Sequence, residues 1–217
     1  NKLILSAVKK GQSDIYIYNL RSDKMKQITD DLYDDIDPHF MPDSRAIMFS
    51  SNRKNDTLGI DKGTFRDITN NFDIFLYDLK KSKDTLYRIP SNAVNANETK
   101  PLGLDNENII YLSDEKGIKN LYRYNILTGE NFPISSFQQN INEFDIWSGI
   151  KMVNSMAFLI TNKGKEYVYY YDDFDFDHEH PVINVSTYRQ KIVEEGNREI
   201  KEIKEIKGIK GIKEIRK

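Results

Sequence analysis

Cysteine is missing from all 217 residues, so neither a disulfide framework nor a zinc or iron site built on thiolates can form. Histidine is scarce, at three, and tryptophan occurs once. No apolar run approaches the roughly 20 residues needed to cross a bilayer, which leaves no transmembrane candidate. Also missing are a GxSxG nucleophile elbow, an HExxH zinc helix and a phosphate-cradling GxxxxGK loop. With no cysteine nucleophile either, the chain is expected not to be an enzyme and to need no cofactor. Broad positive charge is lacking as well. From Gly196 onward eight Lys/Arg face four Glu, a local +4, which leaves −6 on the rest of a chain whose net charge is −2. An acidic body argues against nucleic acid as a partner, because phosphate binding needs a basic face.

What the chain does have is aromatic β pattern: 13 Tyr and 11 Phe within 38% hydrophobic content. The stretch Asp14–Arg53 holds four short strand-like runs separated by turns. In DIYIYN, Ile15 and Ile17 point to one face and Tyr16 and Tyr18 to the other. MKQIT comes after a polar turn, and DPHFM and AIMFSS flank a PDS turn in which Pro42 presets φ and Asp43 can bond the backbone beyond it.

This pattern recurs. A polar, aliphatic, aromatic triplet stands at Asp14-Ile15-Tyr16, Asp73-Ile74-Phe75, Asn120-Leu121-Tyr122 and Tyr167-Val168-Tyr169, and a further aromatic returns two positions on each time, at Tyr18, Tyr77, Tyr124 and Tyr171. The preceding strand repeats as Leu3–Ser6, Ile47–Ser50, Ile110–Ser113 and Phe158–Thr161, each closing on a hydroxyl residue. Self-similarity of this kind, with four strands per unit, predicts a β-propeller. We therefore expect an all-β fold with about four blades over residues 1–185. The opening unit lacks its first strand, so the arc is expected to belong to a larger ring. Residues 186–217 are expected to form a charged helical or disordered tail.

The residues now carry a resemblance. The run IT, then DPHFMPDSRAIMFSSNR, then DIFLYD resembles the repeat of TolB-type, WD40-like β-propellers, whose pattern is LT, then PxWSPDGxxIxFxSxR, then IYxxD. Phe40 stands where that family has Trp, Met41 where it has Ser, and Ser44 where it has Gly. The resemblance covers roughly residues 1 to 173. It implies a periplasmic or otherwise extracytoplasmic bacterial protein that binds an envelope-associated protein partner without catalysis. Similar repeats also form the gating propeller of prolyl oligopeptidase-like peptidases, which is the alternative reading.

Candidate sites arise at departures from the repeat. Between Ser50 and Asp73 about fifteen residues are inserted, spanning roughly Lys54–Asn70. Insertions in repeats fall on loops that often carry binding chemistry. Leu58, Ile60, Phe65 and Arg66 of this insert are the expected partner contacts, and its deletion over Thr57–Thr69 is expected to spare stability. The segment TDDLYDDIDP, residues 29–38, packs five Asp into ten positions and reads as a solvated loop. Asp173, Asp175 and Asp177 alternate ahead of His178 and His180 and are weak candidates for a metal, but an EF-hand fails because His178 occupies the glycine position and Asn184 the glutamate position. His39 and Trp147 are expected to pack in the core. Val182–Val185 is read as a closing strand. From Ser186, helix formers dominate, but isoleucines at every third residue from Ile200 to Ile215 walk around a helix instead of lining one stripe, so the helix is expected to fray near Lys207.

Overall fold

The computed structural model describes residues 1–9, 11–58, 65–81, 85–148 and 154–215. Four antiparallel sheets succeed one another along the chain. The first holds β1 (Lys2–Lys9), β2 (Gln12–Asn19) and β3 (Lys24–Gln27); the second holds β4 (Asp35–Phe40), β5 (Ala46–Arg53), β6 (Ile68–Asp78) and β7 (Tyr87–Arg88). The third holds β8 (Glu98–Gly103), β9 (Asn108–Ser113), β10 (Asn120–Asn125) and β11 (Asn131–Pro133); the fourth holds β12 (Ile141–Ser148), β13 (Asn154–Asn162) and β14 (Lys165–Tyr171). Strands within each sheet meet in chain order. Among the described residues the first sheet has no innermost strand and the fourth no outermost one.

Alternation explains the stacking. Because successive side chains leave a strand on opposite faces, each central strand can feed two cores. Ile15 and Ile17 meet Ile47, Phe49 and Phe75 between the first and second sheets. Met48 and Ile74 meet Ile109, Tyr111 and Tyr122 between the second and third. Ile110, Leu112 and Leu121 meet Met156, Phe158 and Ile160 between the third and fourth. No hydrophobic cluster among the described residues joins the fourth sheet back to the first.

A second repeat clamps each outer strand. The N–H of Ile28 donates to Ile15 O at 2.8 Å, that of Ile89 to Ile74 O at 2.9 Å, and that of Ile134 to Leu121 O at 2.8 Å. The next residue adds a hydroxyl in two of the three: Thr29 Oγ1 accepts from Ile15 N–H and Ser135 Oγ from Leu121 N–H, each at 2.9 Å. An aliphatic residue thus closes each of these three blades, followed by a hydroxyl residue in the first and third.

After β14 the chain leaves its own sheet. Phe176 buries in the core between the third and fourth sheets, and Phe174 packs against it. Phe174 N–H still donates to Asn154 O of the fourth sheet, whereas His180 N–H donates to Pro133 O of the third, both at 2.8 Å, so the chain crosses to the third sheet between these residues. Val182–Val185 therefore forms no strand, contrary to its reading as one: the buried phenylalanines have drawn it away from the β14 edge. The helix α1 (Tyr188–Ile215) then begins. It extends past Lys207 because its Lys and Glu residues are good helix formers, and only its first turns need an apolar contact, where Val193 meets Ala93 and Ala96. No helix among the described residues is long and apolar enough to cross a membrane.

Docking of α1 depends on Gly117. Its φ is +91°, and a Cβ there would lie 2.5 Å from Val185 O and 2.6 Å from Gln190 Cβ. Gly117→Ala is expected to cost about 1–2 kcal/mol, from left-handed strain and the collision together. Limited proteolysis should then cut within the helix faster while the sheets stay protected. Unchanged cleavage would show that Gly117 does not set the docking.

Two core assignments are corrected. Trp147 is 65% exposed, because it lies on the face of the fourth sheet that no other sheet covers. His39 is exposed because an irregularity between Ile36 and His39 re-aims the strand, with Asp37 at φ +51°.

Candidate binding groove

The innermost strand β4 lies beside β8, β12 meets β8 through the Lys100–Glu143 pair, and each of the three carries a register shift, at Ile36/His39, Thr99/Leu102 and Ile141/Glu143. In the first two the shift holds a non-glycine residue in the left-handed region just before a proline: Asp37-Pro38 and Lys100-Pro101, with Lys100 at φ +56°. A bulge leaves one residue unpaired and turns its neighbours outward. The three shifts open a groove of about 480 Å³ across three sheets.

The groove is charged above an apolar floor. Lys100 Nζ lies 2.8 Å from Glu143 Oε1 and 4.0 Å from Asp37 Oδ1, so one ammonium links carboxylates from its two neighbouring sheets. The Lys100 N–H also donates to Asp37 Oδ2 at 3.3 Å. His39 and Asp145 complete the polar lining, while Leu102, Phe144 and Val168 are among the apolar wall residues. Three carboxylates against one ammonium make the groove acidic, and such a field favours a cationic ligand.

Two residues upstream of Asp37 and Lys100 stand a pair of buried acids in equivalent positions. Asp35 pairs across the ladder with Ser51, and Glu98 with Ser113. They differ in the residue two positions beyond the serine, which is Arg53 in the second sheet and Glu115 in the third. Arg53 is fully buried and forks onto Asp35, with Nη2 2.8 Å from both carboxylate oxygens. Its Nη2 also donates to Asp31 Oδ1 at 3.4 Å, and its Nη1 is 3.1 Å from Asp31 Oδ2. Ser51 Oγ and Thr57 O accept its other donors, both at 2.9 Å. Tyr33 lies under the guanidinium, with its ring centre 5.0 Å from Cζ. The acidic run of residues 29–38 is therefore corrected: Asp31 and Asp35 are interior counter-ions, although such a run ordinarily reads as solvated.

Burial pushes the Asp35 carboxyl up to about 6, against the pull of Arg53. Among the described residues no cation pairs with Glu98. Burial pushes it up to about 8, Ser91 offsets a little, and the neighbouring carboxylates Asp73, Glu115 and Asp114 raise it further. Glu98 is thus held as the neutral acid at pH 7.

The residues expected to contact a partner fall in several places. Leu58 is corrected: it is buried with Phe49, Phe75 and Leu86, because the start of the insert folds down onto the second sheet. A Thr57–Thr85 bridge and the Leu86 N–H bond to Asp56 O, at 2.8 Å, pin it there, so deleting Thr57–Thr69 is expected to cost stability as well. Ile60 lies outside the described residues, as does the Phe65 side chain. Arg66 is exposed in a short 3-10 turn, Phe65–Asp67. The structure does not bring Asp173, Asp175 and Asp177 together as ligands. Asp175 accepts from Asp177 N–H, Asp177 pairs with Arg123 at 2.7 Å, and among the described residues no three His, Asp or Glu converge as a metal site would need. Sequence reasoning missed the groove, yet the X-Pro dipeptides Asp37-Pro38 and Lys100-Pro101 were its visible trace.

No protein-family model matches the chain, and no curated protein matches it. Solved structures do. A structure assigned as TolB from Agrobacterium tumefaciens superposes with a TM-score of 0.56 at 15% identity, over 79% of this chain and 57% of that one. TolB from Acinetobacter baumannii gives 0.49 at 14%, over 80% and 41%, and the tricorn protease 0.49 at 13%, over 78% and 19%. The chain thus spans about half the length of the TolB structures it matches. Its four sheets, stacked face to face in chain order, have the fold of successive TolB-like propeller blades.

Proposed function

We propose that the chain is a non-catalytic, TolB-like protein-binding module that acts outside the cytoplasm in the bacterial envelope and grips a basic segment of a partner protein. The observation that carries this reading is the Asp37–Lys100–Glu143 line over an apolar floor, built by three adjacent sheets. Carboxylates set along such a groove steer a cationic chain and fix its register, while the floor takes its apolar side chains. Arg66, exposed on the insert, provides a rim contact.

The test is capture from envelope extract by the chain and by the double variant Glu143→Lys/Asp145→Lys. Both positions are solvent-facing, so the melting transition should hold. The captured partner is expected to bind at least about tenfold more weakly to the variant, and more weakly to the wild type as salt is raised. Equal retention by both proteins would remove the groove from the function. A hydrolase domain encoded in continuation of this chain would instead assign it as the gating propeller of a prolyl oligopeptidase-like peptidase.

A further inference from the structure

The outer edge of β14 is open, whereas the same edge of the other three sheets is covered. β3, β7 and β11 pair with β2, β6 and β10, yet among the described residues no strand pairs with β14 on that side. All seven β14 residues are exposed, including Val168 at 73% and Tyr170 at 61%. The segment after β14 is committed elsewhere, since His180 bonds Pro133 of β11 and Val185 bonds Lys116 in the turn between β9 and β10. An edge rich in Tyr and Val, with Lys165 and Glu166 at only one end, has high strand propensity and little to repel a partner.

We propose that the β14 edge, which adjoins the groove at Val168, is a strand-addition site for an extended segment of another polypeptide that carries an aliphatic residue and then Ser or Thr. The covered edges define that chemistry, the aliphatic residue at all three and the hydroxyl at two, Pro90 standing in its place after Ile89. Ile28, Ile89 and Ile134 each donate an N–H to the third-strand residue opposite, Ile15, Ile74 and Leu121, and the repeat places Val168 at that position. Thr29 and Ser135 then accept from the N–H of Ile15 and Leu121 in turn. By this register the backbone groups of Val168 and Tyr170 face outward. An incoming strand sets its aliphatic side chain opposite Val168 and its hydroxyl on Val168 N–H. The main chain supplies the affinity, and the aliphatic–hydroxyl pair supplies the selection.

The probe is a labelled synthetic peptide with the sequence of residues 23–30, the chain's own covering strand, titrated into the full protein by fluorescence anisotropy. Saturable binding is expected. It should weaken at least about tenfold for a peptide with Ile28→Asp, and likewise for a protein with Tyr170→Pro. Proline is tolerated on an edge strand when the lost N–H faces outward, so the variant should keep its melting transition. A second variant, Val168→Lys, should weaken the peptide without touching the β14 backbone, whereas Glu143→Lys/Asp145→Lys, on the groove that Val168 also lines, should leave peptide binding unchanged. Failure to saturate, or binding indifferent to both β14 variants, would overturn the proposal. So would self-association through β14 that Tyr170→Pro abolishes in a protein that binds no peptide, because the occupant would then be a second copy.

Discussion

Replacing Arg53 by alanine is expected to destabilise the protein by about 3–5 kcal/mol, because it strands two buried carboxylates without a counter-charge. A domain of this size has about 5–15 kcal/mol of stability in all, so the variant should melt far lower or fail to fold. The expectation rests on geometry. Arg53, Asp31 and Asp35 have side chains 0–1% exposed, and water cannot replace the lost ligands without opening the core. The guanidinium also rests against the rings of Tyr33, Phe49 and Phe75 and holds the insert through Thr57 O. Lysine should not rescue, since one ammonium cannot fork onto Asp35 while it also meets Asp31, Ser51 and Thr57. The sharper comparison is the triple variant Arg53→Met/Asp31→Asn/Asp35→Asn. Removing every charge removes the desolvation cost too, so its stability should recover to within about 2 kcal/mol of wild type. Urea titrations of wild type and the two variants decide it. A single variant that loses under about 1 kcal/mol would show the cluster to be hydrated in solution.

The second large effect is on pH. Glu98 has an ordinary value of 4.5 unfolded and about 8 folded, so between these the folded state holds a proton that the unfolded state releases. Stability is therefore full below about pH 4.5 and falls as pH rises through 8, by up to about 1.4 kcal/mol per pH unit. Asp35, raised from 3.8 to about 6, has the same sign in the lower part of that range. The window between pH 6 and 8 is therefore diagnostic for Glu98. Wild type is expected to lose on the order of 2–3 kcal/mol across it, and Glu98→Gln, which keeps a neutral hydrogen-bonding side chain, to stay nearly flat. Urea midpoints at pH 6, 7 and 8 measure both slopes. Parallel slopes would sink the assignment. At pH 8 the glutamine variant should also be the more stable protein, an unusual result for a substitution in a core.

These two predictions share one cause. Asp35 and Glu98 occupy the same place in successive repeats, and the blade-to-blade change from Arg53 to Glu115 decides whether the acid is paired or neutral. The repeat supplies the site and the departure from it supplies the chemistry. The same logic governs the open edge of β14, where the repeat defines what a covering strand must look like because three blades already carry one.

How much of this could be read in advance divides along sequence distance. The strands and their order were legible because period-two alternation, turn residues such as Pro42-Asp43, and recurrence of the Ile15, Ile74, Leu121 and Val168 positions are all local or self-referential signals. Burial was not. Asp31 and Asp35 find Arg53 about twenty residues away, and an acidic run reads alike whether water or a guanidinium meets it. Leu58 sat in an insert whose anchoring to the second sheet, through Thr85 and Leu86, has no local sign. Trp147 and His39 turned on which sheet faces a neighbour and where a bulge falls. The sequence by itself determined that four-stranded units succeed one another, since each needs only its own alternation. Only the tertiary structure decided which charges are inside, which acid keeps its proton, and which strand edge stays free, since each depends on the distant segments that do or do not come to cover it.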